Sequence, residues 1–143
     1  NDSFYIPEKY KNSAGNISNS GKYDMVIRLA ELYLIKSEAE ANGASGGISD
    51  AINDLNTIRH RAGLSDYSGP VDSKDSILSA IHHERQVELF TEWGHRWLDL
   101  KRTGTIDKTF NSEKPQWEPN DALYPIPLSE IGNNPLLNQN PGY

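Results

Sequence analysis

"HERQVELFTEWGHRWLDLKRTG", residues 83–104, carries four acidic and four basic side chains, two histidines and two tryptophans. Its spacing is helical. On a wheel of about 100° per residue, Ile77, Leu78, Ile81 and Leu89 mark the apolar arc of this third helix. Glu84, Arg85, Glu88 and Glu92 fall within that arc or at its edge, while Ser79, His83 and Gln86 lie opposite. The charges thus run along the line that should face a core. An unpaired buried charge is strongly unfavourable, so these groups must be paired or must serve a ligand.

Partners are close in the sequence. Glu84 and Glu88 lie one helical turn apart and would repel without a cation between them. Arg85 shares their helix, Arg96 and Arg102 follow on the next, and Arg28 sits in the first. The planar guanidinium fork binds carboxylates bidentately, which suits arginine to this role. The expectation is a buried ionic network of Arg28, Glu84, Arg85, Glu88, Arg96 and Asp99. It would lock helix three to helix four and to helix one. Glu84 and Glu88 also meet the spacing of a glycosidase-type carboxylate pair. Interleaved arginines hold carboxylates ionised, which suits a brace and spoils a general acid.

Outward from this block, the chain reads as helices and loops. Residues 1–22 are polar, rich in Asn, Ser and Gly, and have no hydrophobic period. They form an irregular lead-in with a sequon at Asn16. Residues 23–42 predict a first helix that is apolar nearly all round, from Met25, Val26, Ile27, Leu29, Leu32, Tyr33, Leu34 and Ile35. Such a helix belongs inside a helical stack, with Gly43 as its stop. Residues 48–62 predict an amphipathic second helix, capped by Ser49 or Asp50 and closed by Gly63 with Leu64 folding back. Helices one and two, residues 23–64, resemble one tetratricopeptide unit, with Leu29-Ala30-x2-Tyr33 in the first and Ala51-x3-Leu55 in the second.

Residues 73–104 form a helical block, capped by Asp72 or Ser73, running to about Trp93 and interrupted at Gly94. Residues 105–143 read as a loop and a tail. The tail has too many prolines for a long helix or a central strand. It should lie extended over the helices, pinned by Leu123, Tyr124, Ile126, Leu128, Ile131, Leu136 and Leu137. The fold class is therefore all-α: tetratricopeptide-like helix pairs, long irregular loops and an extended Pro-rich C-terminal tail.

Composition closes several routes. A chain of 143 residues is long enough for a core, but hydrophobic content of 36% and mean hydropathy of −0.69 imply much loop and surface. Net charge −6 and an isoelectric point near 5.1 argue against a nucleic-acid partner. The absence of cysteine excludes disulfides, zinc-thiolate sites and thiol catalysis. No metal site is expected: adjacent His82 and His83 point about 100° apart on a helix, and "HERQVE" lacks the second histidine of H-E-x-x-H. No phosphate loop or nucleophile elbow appears, so no cofactor is expected. With no signal peptide and no initiator methionine, the chain reads as a mature or cut piece of something longer. Trp93 and Trp97 flank the charged knot and read as core. Trp117, in "KPQWEP", either stacks on a ligand or packs back on the helices.

Four stretches, "RLAELYLIKSEAEA", "AINDLNTIRHRAGL", "ILSAIHHERQVELFTEWGHRWLDLKRTG" and "LYPIPLSEIGNNPLLNQNPGY", resemble in order the C-terminal part of the SusD/RagB family. The block E-R-x-x-E-L followed by G-H-R-W-x-D-L-K-R-x-G and the ending N-P-G-Y carry most of the resemblance, which covers residues 23–143. The chain departs mildly at Thr91 and Trp93, where smaller or acidic residues are expected. The resemblance implies a C-terminal domain over 1–143 of a longer, non-catalytic lipoprotein of the outer membrane, facing outward and lipid-anchored upstream of this chain. Its implied partners are a SusC-like TonB-dependent transporter barrel and an oligo- or polysaccharide. It carries over no ligand residue. The other readings are a helical protein–protein interaction module and a hydrolase using Glu84 and Glu88.

Overall fold

A computed structural model describes residues 26–143. The lead-in, the Asn16 sequon and residues 23–25 of the expected first helix lie outside the described residues. Among those described, every regular element is helical: α1 (Leu29–Ala41), α2 (Gly47–Arg61), α3 (Lys74–Glu88), α4 (His95–Arg102), α5 (Ile106–Glu113), a 3-10 turn (Pro119–Ala122) and α6 (Leu128–Asn133). The described residues divide into two compact units, one up to Trp93 and one from Gly94 to Tyr143.

In the first unit α1 packs on α2 and α3. Its core is Ala30, Leu34, Ala41, Ala51, Leu55, Ile58, Ile77 and Ile81. Alanines on α1 and α2 let the two backbones approach, and buried Ser37 Oγ donates to the Ala51 carbonyl at 2.6 Å. Helix one begins at Leu29, not at 23, because Arg28 is extended, with φ −117° and ψ 150°. Its apolar circumference is not buried all round. Leu34 is sealed, whereas Leu29 is 69% exposed and Leu32 and Ile35 are about half exposed, since α2 and α3 pack along the opposite side.

Helix α2 starts one residue earlier than expected, and its N-cap is Gly46 rather than Ser49 or Asp50. Gly46 has φ +107°, and a Cβ there would lie 2.6 Å from Glu40 Oε1 and 2.7 Å from Asp50 Oδ2. Only glycine fits this tight entry. The far end is as expected. Gly63 N donates to the His60 carbonyl and Leu64 N to the Arg59 carbonyl, the Schellman pattern, although Leu64 remains half exposed.

Ser73 caps α3, its Oγ accepting from Ser76 N at 3.2 Å. The helix ends at Glu88, well short of Trp93. Thr91 (φ 63°), Trp93 (φ 43°) and Gly94 (φ 71°) are all left-handed, which no α-helix tolerates. The turn carries Trp93 outward at 54% exposure, so the expected core role of Trp93 is not realised.

The second unit contains a helix where a loop was expected. In α5, Ile106 and Phe110 lie one turn apart and are buried with Leu100 of α4, with Trp97, Trp117 and Ala122 packed around them. Their i, i+4 spacing is all that marks this short helix between polar residues. Of the expected pins of the tail, Tyr124 meets the Trp97 ring of α4, while two leucines stay in solvent. Leu128 and Leu136 are 83% and 87% exposed. Polar bonds close the tail on itself: Gln139 accepts from Ile126 N at 2.8 Å and donates to the Ile126 carbonyl at 2.9 Å. Asn140 Nδ2 donates to the Tyr124 carbonyl at 2.7 Å, and Tyr143 Oη to the Leu123 carbonyl at 2.8 Å. Pro125 and Pro127 flank Ile126 and lack N–H groups, so a side-chain amide completes what the backbone cannot.

A β-branched residue at φ 63° is strained. Thr91→Gly is expected to stabilise the protein by about 0.5–1 kcal/mol, since the relief of a left-handed Cβ exceeds the added freedom of the unfolded chain. Urea unfolding checks this: the midpoint should rise with the slope unchanged.

Candidate functional site

Two clusters, one in each unit, hold the residues singled out in the sequence. In the first unit, the extended backbone before α1 delivers Arg28 to the end of α3. Its Nη1 donates to Glu88 Oε1 at 2.7 Å, and its Nη2 to the Glu88 carbonyl at 2.9 Å. Its Nε and Nη2 grip the two oxygens of Glu92 at 2.9 and 3.0 Å. Arg61, in the last turn of α2, pairs with the other oxygen of Glu88. Arg59 Nη1 donates to Glu84 Oε2 at 3.2 Å. Glu84 and Arg85 are both 96% buried and share the inner side of α3 with Ile77 and Ile81.

Arg96 and Asp99 belong to the second unit and have partners there. Within the second unit, Arg96 Nη2 donates to Glu113 Oε1 at 3.3 Å. Arg96 lies in the first turn of α4, and α4 packs on α5, whose last turn carries Glu113. Asp99 accepts from Arg102 Nε at 2.8 Å. Sequence reasoning missed Arg59 and Arg61, which lie in the last turn of α2, where cations complement the helix dipole. It also missed Lys36, held by Asp54 at 2.6 Å and Glu40 at 3.0 Å.

This arrangement fixes charge states. Burial opposes the charge of Arg28, but hydrogen bonds to Glu92 and Glu88 outweigh it and hold the guanidinium above its ordinary value. Burial likewise opposes ionisation of Glu88, and hydrogen bonds from Arg61 and Arg28 overcome it, holding the carboxyl below its usual range. A carboxylate so held cannot act as a general acid near neutral pH. Among the described residues, no three His, Asp or Glu side chains converge as metal ligands would.

The second cluster is an open cleft of about 610 Å³, lined by Trp97, Glu113, Lys114, Pro115, Gln116, Trp117 and Asp121. That volume lies within the range of small-ligand sites. Trp117 packs edge-on against Phe110 at 4.8 Å between ring centroids, and against Trp97 at 6.1 Å. Its Nε1 donates to Asp107 Oδ1 at 2.9 Å, which fixes the ring. Trp97 stacks on Phe110 at 6.1 Å and meets Tyr124 at 5.7 Å. Trp117 thus both packs back on the helices and shows part of its surface in the cleft. Lys114 Nζ lies 4.1 Å from the Phe110 centroid. Asp121 accepts from Glu118 N at 2.9 Å, closing the capping box of the 3-10 turn.

Arg28→Ala removes four hydrogen bonds from two largely buried acidic residues and is expected to lower stability by about 2 kcal/mol or more, measured by chemical unfolding. The pH dependence follows from Glu88. Its folded pKa is depressed, so its contribution is complete above the unfolded carboxyl value of about 4.3 and is lost as pH falls through the folded value. The stability gap between wild type and Glu88→Gln should be full near pH 7 and should narrow below about pH 4. A gap that widens on acidification would contradict the ion-pair account.

Comparison with known proteins follows the helical order. The sequence model of the SusD family matches residues 1–143. A SusD-like protein P2 of Formosa agariphila is 34% identical over 94% of this chain, which spans 30% of that protein. The starch-binding protein SusD of Bacteroides thetaiotaomicron is 32% identical over 95% of this chain, which spans 25% of that protein. No solved structure gives a significant match. The whole-length match, together with two relatives above 30% identity, settles the kinship: the chain belongs to the SusD family.

Proposed function

We propose that this chain is the C-terminal domain, over residues 1–143, of a non-catalytic glycan-binding protein of the outer-membrane surface. In this reading the complete protein is lipid-anchored, binds an oligo- or polysaccharide and presents it to a SusC-like TonB-dependent transporter barrel. The observation that carries the reading is the whole-length match to the SusD family, which includes a relative named as starch-binding. The chain's own residues support a binding rather than a catalytic role. Glu84 and Glu88, the carboxylates spaced for hydrolysis, are each paired with arginine, and Glu88 is held ionised by Arg61 and Arg28. No helix among the described residues is long and apolar enough to cross a membrane, so α1–α6 supply no span of their own.

A second reading, a helical module that binds another protein, is favoured by one observation. Leu29, Leu32 and Ile35 lie exposed along one side of α1. Purification of the full-length protein through a C-terminal tag, from its own outer membrane in mild detergent, separates the two. The glycan-import reading expects a large TonB-dependent barrel to co-purify in stoichiometric amount. Recovery of a different protein in that ratio would favour the interaction module, and recovery of the tagged chain alone would overturn the transporter partnership.

A further inference from the structure

We propose that the cleft walled by Trp97 and Trp117 is a saccharide subsite that holds one pyranose ring, an inference that rests on the glycan-binding reading above. Its chemistry carries the proposal. A pyranose has a face of C–H groups and an edge of hydroxyls that both donate and accept. It therefore asks for a rigid aromatic surface beside a rim of mixed polar groups.

The cleft offers both. Trp117 cannot swing away, because Asp107 holds its Nε1 and Phe110 holds its edge. Trp97 is fixed between Phe110 and Tyr124. The two indoles stand at 75° to one another and form a corner rather than a closed stack. Around it, Glu113, Lys114, Gln116 and Asp121 supply acceptors and donors at the solvent edge. Glu113 keeps a free lone pair beyond its bond to Arg96, and Asp121 beyond its bond to the Glu118 amide. Lys114 lies within reach of the Phe110 and Trp117 rings, so its ammonium is poised over the aromatic corner. A purely apolar docking groove would not carry four polar side chains on its lining, and a catalytic cleft would not commit both its carboxylates to structural bonds.

The test uses the full-length protein and calorimetric titration with oligosaccharides of starch, xylan, mannan and galactan. Wild type should bind at least one of them. Trp117→Ala should weaken that binding about tenfold, the scale of one lost stacking contact and its buried area. Trp117 also anchors the second core, so a rim variant that leaves the core alone, Lys114→Ala with Gln116→Ala, provides the independent check. It should weaken binding about threefold or more at unchanged melting temperature. Wild-type affinity in a folded rim variant and in folded Trp117→Ala overturns the subsite while leaving the glycan-binding reading intact. A rim variant that keeps full glycan affinity but loses the co-purifying transporter overturns it in favour of a protein contact. Failure of wild type to bind any of the four classes removes the glycan-binding reading and the subsite with it.

Discussion

Arg28 places one guanidinium against Glu88 and Glu92, side chains 60 and 64 residues further along the chain, and makes four hydrogen bonds to them. The first unit depends on this contact in a way its greasy residues cannot replace. Leu34, Leu55, Ile77 and Ile81 hold the three helices together wherever they slide by a methyl group. A bidentate grip on one carboxylate, with a second carboxylate and a carbonyl beside it, admits only one placement. Arg59 and Arg61 repeat the principle from α2 to α3 with Glu84 and Glu88. Helix three is thereby registered from two directions by charge, and hydrophobic burial supplies the adhesion rather than the alignment.

The all-helical class, the start and stop of α2 and the start of α3 near their observed places, and the inward position of Glu84 and Arg85 were legible because they depend on period and local capping. Gly43, Gly63 and Gly104 each follow a helix with φ between 66° and 106°, and each was recognisable as a stop. The early end of α3 was not. Thr91 and Trp93 adopt left-handed backbone that their side chains disfavour, so no propensity rule points to a turn there. The strain is a local choice overruled by the packing on either side.

The sites divide along the same line. Which acids would need partners could be read from the helical wheel, since that is a property of one helix. Of the cations that supply them Arg28 could be named too, but Arg59 and Arg61 could not, because they come close only through packing of separate helices. The cleft was foreshadowed by one residue, Trp117, in a polar loop between prolines. Its other wall was hidden, because Trp97 sits in a stretch that reads as scaffold, and α5, which brings Phe110 between the two indoles, is too short and polar to announce itself. The tail failed for a related reason. Its leucines suggested apolar attachment, yet Gln139, Asn140 and Tyr143 close the tail on its own backbone at Ile126, Tyr124 and Leu123, a mode that side-chain hydropathy does not register.

Glu88 serves two masters. One of its oxygens belongs to Arg28, which precedes α1, and the other to Arg61, which ends α2. Each arginine is in turn committed to a carboxylate that shorter or uncharged residues cannot match. Drift at any one of these positions therefore leaves charges stranded on elements that the change did not touch. The sequence can move away from this arrangement only by altering three or four distant codons together, or by replacing the whole knot with hydrocarbon. Loop residues around the cleft face no such restriction and can vary one at a time. Descent with modification should consequently preserve the knot as a block while the cleft rim diversifies.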